Sequence, residues 1–168
     1  MLAGDARAFR SSAEIPHNEE KFVMKSFRIF GAIALVFCSA ALVSAAPKEP
    51  SAAKCPVSGK GCNPEKSVVF DGGKVYFCCS NCETAFKGDS AKFAAKAHQQ
   101  MVSTGELVQK GCPLSGGAVK AGTQVDIGGV EVGFCCGNCK GKVEKASGDE
   151  QVALVFGNIE KGFAPTAK

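Results

Sequence analysis

The sequence predicts a small α+β fold: two tandem modules, each a β-hairpin followed by two short helices, placed after a signal peptide. Three observations carry that expectation. First, a cysteine pattern is written twice at an offset of 57 residues, so that Cys55, Cys78, Cys79 and Cys82 recur as Cys112, Cys135, Cys136 and Cys139. The register extends into the flanks, with Pro56 and Pro113, Ser58 and Ser115, Gly59 and Gly116, Phe77 and Phe134, and Asn81 and Asn138 in step. Second, each copy holds two β-rich runs around a glycine turn, which is a hairpin signal. Third, a basic, then apolar, then small-residue segment precedes both copies. Units this short bury little apolar surface and need staples, which clustered thiols supply as metal ligands or as disulfides.

Residues 1–23 are polar with charges of both signs, and read as an N-terminal extension without structure of its own. Residues 24–46 read as a secretory signal peptide: Lys25 and Arg28 precede an uncharged run from Ile29 to Ala46. Cleavage after Ala45 or Ala46 makes the mature chain exported, periplasmic or secreted. Left uncleaved, the run approaches the length of a membrane anchor, and it is the chain's one expected tie to a membrane. Cys38 follows Phe37, a poor fit to a lipid-attachment site, and reads as an apolar filler.

Residues 47–54 (PKEPSAAK) form a short linker. The first module spans 55–102. Its Ser67–Phe77 stretch is a hairpin around Asp71-Gly72-Gly73, with a helix expected from Ser80-Asn81 to Lys87. Gly88-Asp89-Ser90 breaks that helix and caps a second one, Ala91 to about Val102, with Phe93, Ala97 and Met101 on one face. Residues 103–111 are a linker in which Glu106–Gln109 has strand character. The second module, 112–161, repeats the scheme. A hairpin turns at Gly128-Gly129, a helix runs from Asn138 to about Ala146, and Ser147-Gly148-Asp149 caps a last helix from Glu150 to about Glu160. The tail, 162–168, is expected to fray. Phe70, Phe77, Phe86, Phe93 and Met101 are the expected first core. Ile127, Phe134, Val143, Val152, Leu154 and Val155 are the second.

From Ala46 onward the chain carries 15 Lys and no Arg against 12 Asp plus Glu. That balance is too weak and scattered for a nucleic-acid footprint, and the residue that reads guanine and clamps phosphate is missing. With His98 the sole histidine of that stretch and no matched acid pair, no acid–base constellation can be named, and the chain does not read as an enzyme. His98 itself reads as a packing residue rather than a ligand.

The cysteines carry the chemistry. In each module a tight C-P-x-S-G turn presents one thiol, a hairpin returns the chain, and its second strand delivers another beside that turn. A third follows at a helix start. Turn, hairpin and helix N-terminus converging on one point is the treble-clef route to a tetrahedral zinc site, and helix N–H groups favour thiolate over thiol. Three thiols per module are obvious ligands, with Cys79 or Cys136 as a fourth. A three-thiolate site with an open position suits delivery of zinc or copper(I). Cys62 has Val119 at the matching position of the other copy and reads as a leftover thiol, the alternative being a fourth ligand for the first site alone.

C-P-V-S-G-K (55–60) followed by V-Y-F-C-C-S-N-C-E-T-A-F (75–86) resembles the YHS and TRASH-like families of small metal-binding modules. The resemblance covers roughly Cys55–Phe93 and Cys112–Val155. It implies heavy-metal binding in trafficking, resistance or sensing, with Cys55, Cys78 and Cys82, and Cys112, Cys135 and Cys139, as ligands. Many members carry C-P-x-C-G, where this chain has Ser58 and Ser115. Zinc is the first expectation, one ion per module, with copper(I) or another thiophilic ion as the alternative. Two rivals stand beside it. An exported chain meets an oxidising compartment, so the thiols can pair as disulfides, and Cys79-Ser-Asn-Cys82 and Cys136-Gly-Asn-Cys139 are C-x-x-C motifs of the thiol–disulfide kind. A purely structural, partner-binding module shares every one of these features.

Overall fold

The computed structural model describes residues 47–167. The extension, the signal peptide and Cys38 lie outside the described residues. In chain order the elements are β1 (Asn63–Phe70), β2 (Gly73–Phe77), α1 (Ser80–Gly88), α2 (Ser90–Ser103), β3 (Leu107–Gln109), β4 (Val125–Asp126), β5 (Glu131–Val132), α3 (Gly137–Lys145), α4 (Gly148–Phe156) and β6 (Phe163–Pro165). The fold is a small α+β one, with four helices and three two-stranded antiparallel pairs: β1–β2, β3–β6 and β4–β5. Among the described residues no helix is long and apolar enough to cross a membrane.

The first hairpin turns where both central residues take left-handed backbone, Asp71 at φ 44° and Gly72 at φ 84°. That is the turn twist that matches two right-twisted strands, and Asp-Gly is its usual sequence. Gly72 has a second reason to lack a side chain, since a Cβ there would lie 2.7 Å from Pro165. The second hairpin is much shorter. Where its ladder stops, side chains take over the strand's backbone groups: Gln109 accepts from Gly133 N at 2.9 Å and donates to Gly133 O at 2.6 Å. Thr123 Oγ1 likewise donates to Phe134 O and accepts from Phe134 N. Buried backbone polar groups need partners, and here they find them off the sheet.

Helix α1 begins at Ser80, where the sequence pattern places it, with Cys79 as its N-cap; α3 begins one residue earlier than expected, at Gly137, with Cys136 as its N-cap. Asp89 caps α2 by accepting from Lys92 N at 3.2 Å. Each half builds its own core. Val75, Phe77, Phe86, Met101 and Leu107 are buried in the first, and Ile127, Val132, Phe134, Val143 and Phe156 in the second. Phe70, Phe93, Val152 and Leu154, expected as core, pack against these clusters while only partly buried.

The expectation of a frayed C-terminus is overturned. Phe163–Pro165 pairs with Leu107–Gln109, and Phe163 is buried with its ring 5.6 Å from that of Phe156. The register is informative: Leu107 faces Pro165 and Val108 faces Ala164. At the 57-residue offset Leu107 matches Ala164 and Val108 matches Pro165, so each segment pairs with its own repeat equivalent. Helices α2 and α4, also repeat equivalents, pack on one another, and Val102 and Ile159 touch both cores. The two halves therefore meet through equivalent segments, and Leu107–Gln109, in the part of the 103–111 linker that has strand character in the sequence, supplies one strand of that contact.

Candidate metal centre

Each cluster is assembled from three local devices. In the first half, Cys55 N donates to Lys60 O (2.7 Å) and Gly59 N donates to Cys55 O (2.8 Å), closing a tight turn that needs Gly59 at φ 72°. In the second half, Cys112 N donates to Gly117 O (2.8 Å) and Gly116 N to Cys112 O (2.7 Å), with Gly116 at φ 76°. The chain leaving strands β2 and β5 then brings Cys78, directly after β2, and Cys135, three residues past β5, next to those turns. The first turns of α1 and α3 bring Cys82 and Cys139.

The Sγ atoms of Cys55, Cys78 and Cys82 all lie within 4.8 Å of one another, and so do those of Cys112, Cys135 and Cys139. These are the two groups of side chains among the described residues that lie close enough together to hold a metal ion. Cys78 and Cys82 are 3.6 Å apart, and Cys135 and Cys139 3.7 Å. Four thiolates about 2.3 Å from a tetrahedral zinc ion are separated by about 3.8 Å, so these spacings suit one soft ion per cluster. All nine described cysteines are free thiols.

The electrostatics favour a thiolate at the turn. Burial raises the Cys55 thiol, yet the Ser58 hydroxyl and the backbone N–H groups of Cys78, Ser58 and Val57 outweigh it and bring it down to about 7. Cys112 meets the same opposition of burial against Ser115 and the backbone of Cys135, Ser115 and Leu114, and comes down to about 6. Cys82 and Cys139 go the other way, up to about 12, through burial and then the neighbouring thiols, which donate to one thiolate at the expense of another. An ion that binds here displaces those protons, so its affinity rises with pH.

Of the expected ligands, Cys79 and Cys136 stand beside the clusters. Their Sγ atoms are 3.6 Å from Cys78 Sγ and 3.7 Å from Cys135 Sγ. Cys79 is exposed and Cys136 half-buried. The backbone N–H of Cys82, followed by the thiols of Cys78 and Cys82, holds the Cys79 thiol below its ordinary range, and Cys139 N–H does the same for Cys136.

Two site residues were not on the sequence-derived ligand set. Ser58 Oγ lies 3.2 Å from Cys78 Sγ, and Ser115 Oγ 3.1 Å from Cys135 Sγ. Where a second cysteine of a C-P-x-C-G turn would bring a thiol, this chain brings a hydroxyl that hydrogen-bonds the sulfurs. The signal was present, since C-P-x-S-G is written in both copies.

Cys62 is not a member of the first cluster. It is buried, donates to Tyr76 O at 3.2 Å and accepts from Gln100 Nε2 at 3.2 Å, and burial pushes its thiol up to about 12. His98 is also accounted for elsewhere: Nδ1 lies 2.8 Å from Phe156 O, Nε2 lies 2.7 Å from Asp71 Oδ2, and the ring stacks on Phe70. It joins the first hairpin to the end of α4. No known protein family, curated protein or solved structure matches the chain.

Proposed function

We propose that this chain is an exported metal-binding protein with two treble-clef-like cysteine-thiolate sites, of the YHS/TRASH-like kind, acting in metal trafficking, sequestration or resistance. The observation that carries the reading is the pair of three-thiol groups, each within 4.8 Å. Zinc is the first cargo on donor set and spacing, and copper(I), which takes three soft thiolates readily, is the second. Ser58 and Ser115 tune the thiolates, and the N–H groups of the C-P-x-S-G turns stabilise the negative charge the ion requires.

The two-stranded antiparallel sheets support binding over thiol–disulfide catalysis, because a thioredoxin-like frame sets its C-x-x-C motif in a βαβ unit. Export rests on the basic, apolar and small-residue order of residues 24–46. A zinc-stapled module working through its surface uses the same ligands, and buried Cys55 and Cys112 border the two cores. Exchange separates the two, since a staple holds its ion inertly and a carrier releases it.

The deciding experiment is elemental analysis of protein purified from residue 47 without chelators, paired with a thiol count under denaturing conditions. About two ions per chain, with the thiols titratable after chelation, is the expected result. Metal-free protein whose thiols are all oxidised would overturn the reading in favour of a disulfide-stapled module.

A further inference from the structure

Each cluster encloses three thiols and keeps a fourth outside. Cys55 and Cys112 are buried, while Cys78, Cys82, Cys135 and Cys139 are half-buried. Cys79 follows Cys78 in extended backbone, φ −160° and ψ 167°, and Cys136 follows Cys135 at φ −162° and ψ 166°. Cys79 is exposed, and its sulfur lies outside the group of three that are mutually within 4.8 Å while standing 3.6 Å from Cys78 Sγ and within hydrogen-bond reach of Cys82. In the second half the half-buried Cys136 likewise stands outside its group, 3.7 Å from Cys135 Sγ. The flanking Ser80, Asn81, Gly137 and Asn138 are exposed, so the outer thiol faces the solvent side by which an acceptor must approach.

We propose that Cys79 and Cys136 are exchange thiols: they do not hold the ion at rest but carry it between the enclosed triad and a thiol-bearing acceptor. This rests on the metal-binding reading of the same clusters. In the transfer step a bond forms between Cys79 Sγ and the ion as the bond from Cys78 Sγ breaks, and the proton that Cys79 releases passes to the freed Cys78 thiolate. Thiolates of the acceptor then bond to the ion one at a time as its bonds to Cys55, Cys82 and finally Cys79 break, and the freed thiolates take up the protons that the acceptor's thiols give up. The ion keeps its oxidation state and no electrons move. The duplicated placement of an outer thiol beside an enclosed one, in two halves whose hairpins otherwise differ, is what a shared exchange step requires.

The test compares zinc-loaded wild-type protein with the Cys79→Ser, Cys136→Ser variant. The readouts are zinc content, equilibrium affinity, the number of sulfur neighbours by X-ray absorption, and the rate of zinc transfer to a chromogenic chelator. The expected result is unchanged zinc content, three sulfur neighbours in both proteins, and affinity altered by less than about threefold. The transfer rate should fall by about tenfold or more. An unchanged rate overturns the proposal. Four sulfur neighbours in the wild type falling to three in the variant, with affinity lost alongside rate, also overturns it by making Cys79 a resident ligand. Wild-type protein that binds no metal defeats the metal-binding reading itself, which separates the two failures. Alkylation of zinc-loaded wild type gives a check independent of the variant's folding. Cys79 and Cys136 should react first with zinc retained, and resistance at both would overturn the assignment.

Discussion

The two halves differ most where they matter least to the clusters. The first rests on strands of eight and five residues, the second on strands of two and two. Yet the distances within the turns, between serine and cysteine, and between cysteines agree to a tenth of an ångström. Cluster geometry is therefore set by the C-P-x-S-G turn and the helix start, which are local, and the hairpin only has to return the chain. The sheet is free to shrink when Gln109 and Thr123 satisfy the backbone in its place.

The surroundings also diverge in charge. After Cys82 comes Glu83, paired with Lys87 at 2.7 Å; after Cys139 comes Lys140, 3.7 Å from Glu144. The turn thiols are nevertheless lowered alike, to about 7 for Cys55 and about 6 for Cys112, by the serine hydroxyl and backbone N–H groups of each turn against the opposing effect of burial.

The largest way to break the equivalence is to replace Cys78 and Cys82 together by Ser. Metal content should drop from about two ions per chain to about one, with the second cluster still loaded. Loss of both ions would show that the clusters are not independent, and no loss would remove the first cluster from the metal reading.

A smaller effect tests the likeness of the two clusters. Protons compete with the ion for every ligand thiolate, so both clusters should lose their ion as pH falls. The turn thiols are lowered alike, to about 7 for Cys55 and about 6 for Cys112, and acid titration should empty both clusters over the same range of pH. Thiolate-to-metal absorbance followed in single-cluster variants reads this directly, and midpoints more than about two pH units apart would contradict it.

The smallest effect concerns Cys62, which has Val119 as its counterpart. Cys62→Val should leave metal content unchanged and cost the fold about 1 kcal/mol through the lost Tyr76 and Gln100 hydrogen bonds. A thiol raised from 9.0 to about 12 supports folding fully below pH 9.0 and loses that contribution as pH rises toward 12. Urea unfolding of metal-free protein should therefore be less sensitive to alkali in the variant than in the wild type. A fall in metal content would instead make Cys62 a ligand.

Much of this was legible without coordinates because it is encoded over short distances. Asp71-Gly72 and Gly128-Gly129 supply left-handed backbone at the turns, and Asp89 supplies a cap. The repeated spacing of the cysteines names two sets of thiols that a hairpin can bring together. Phe77, Phe86, Phe134 and Val143 mark core faces by their position relative to those elements, and all are buried.

Tertiary structure decided the rest. Sequence spacing does not distinguish Cys78 from Cys79, because both neighbour the turn; the fold brings Cys78 Sγ within 4.8 Å of both Cys55 and Cys82 and leaves Cys79 exposed at the edge of that group. Nor does it reveal that Phe163–Pro165 is a strand, since three residues carry no periodicity and gain their order from Leu107–Gln109, far away in the chain. His98 and Cys62 are similar cases: His98 is held by Phe156 of the other half, and Cys62 by Tyr76 and Gln100, brought to it by the packing of α2 on the first hairpin. Short-range patterns prescribe turns, caps and helix starts because those interactions involve neighbours in sequence. Pairings between distant segments depend on surfaces that exist only once the local elements have formed.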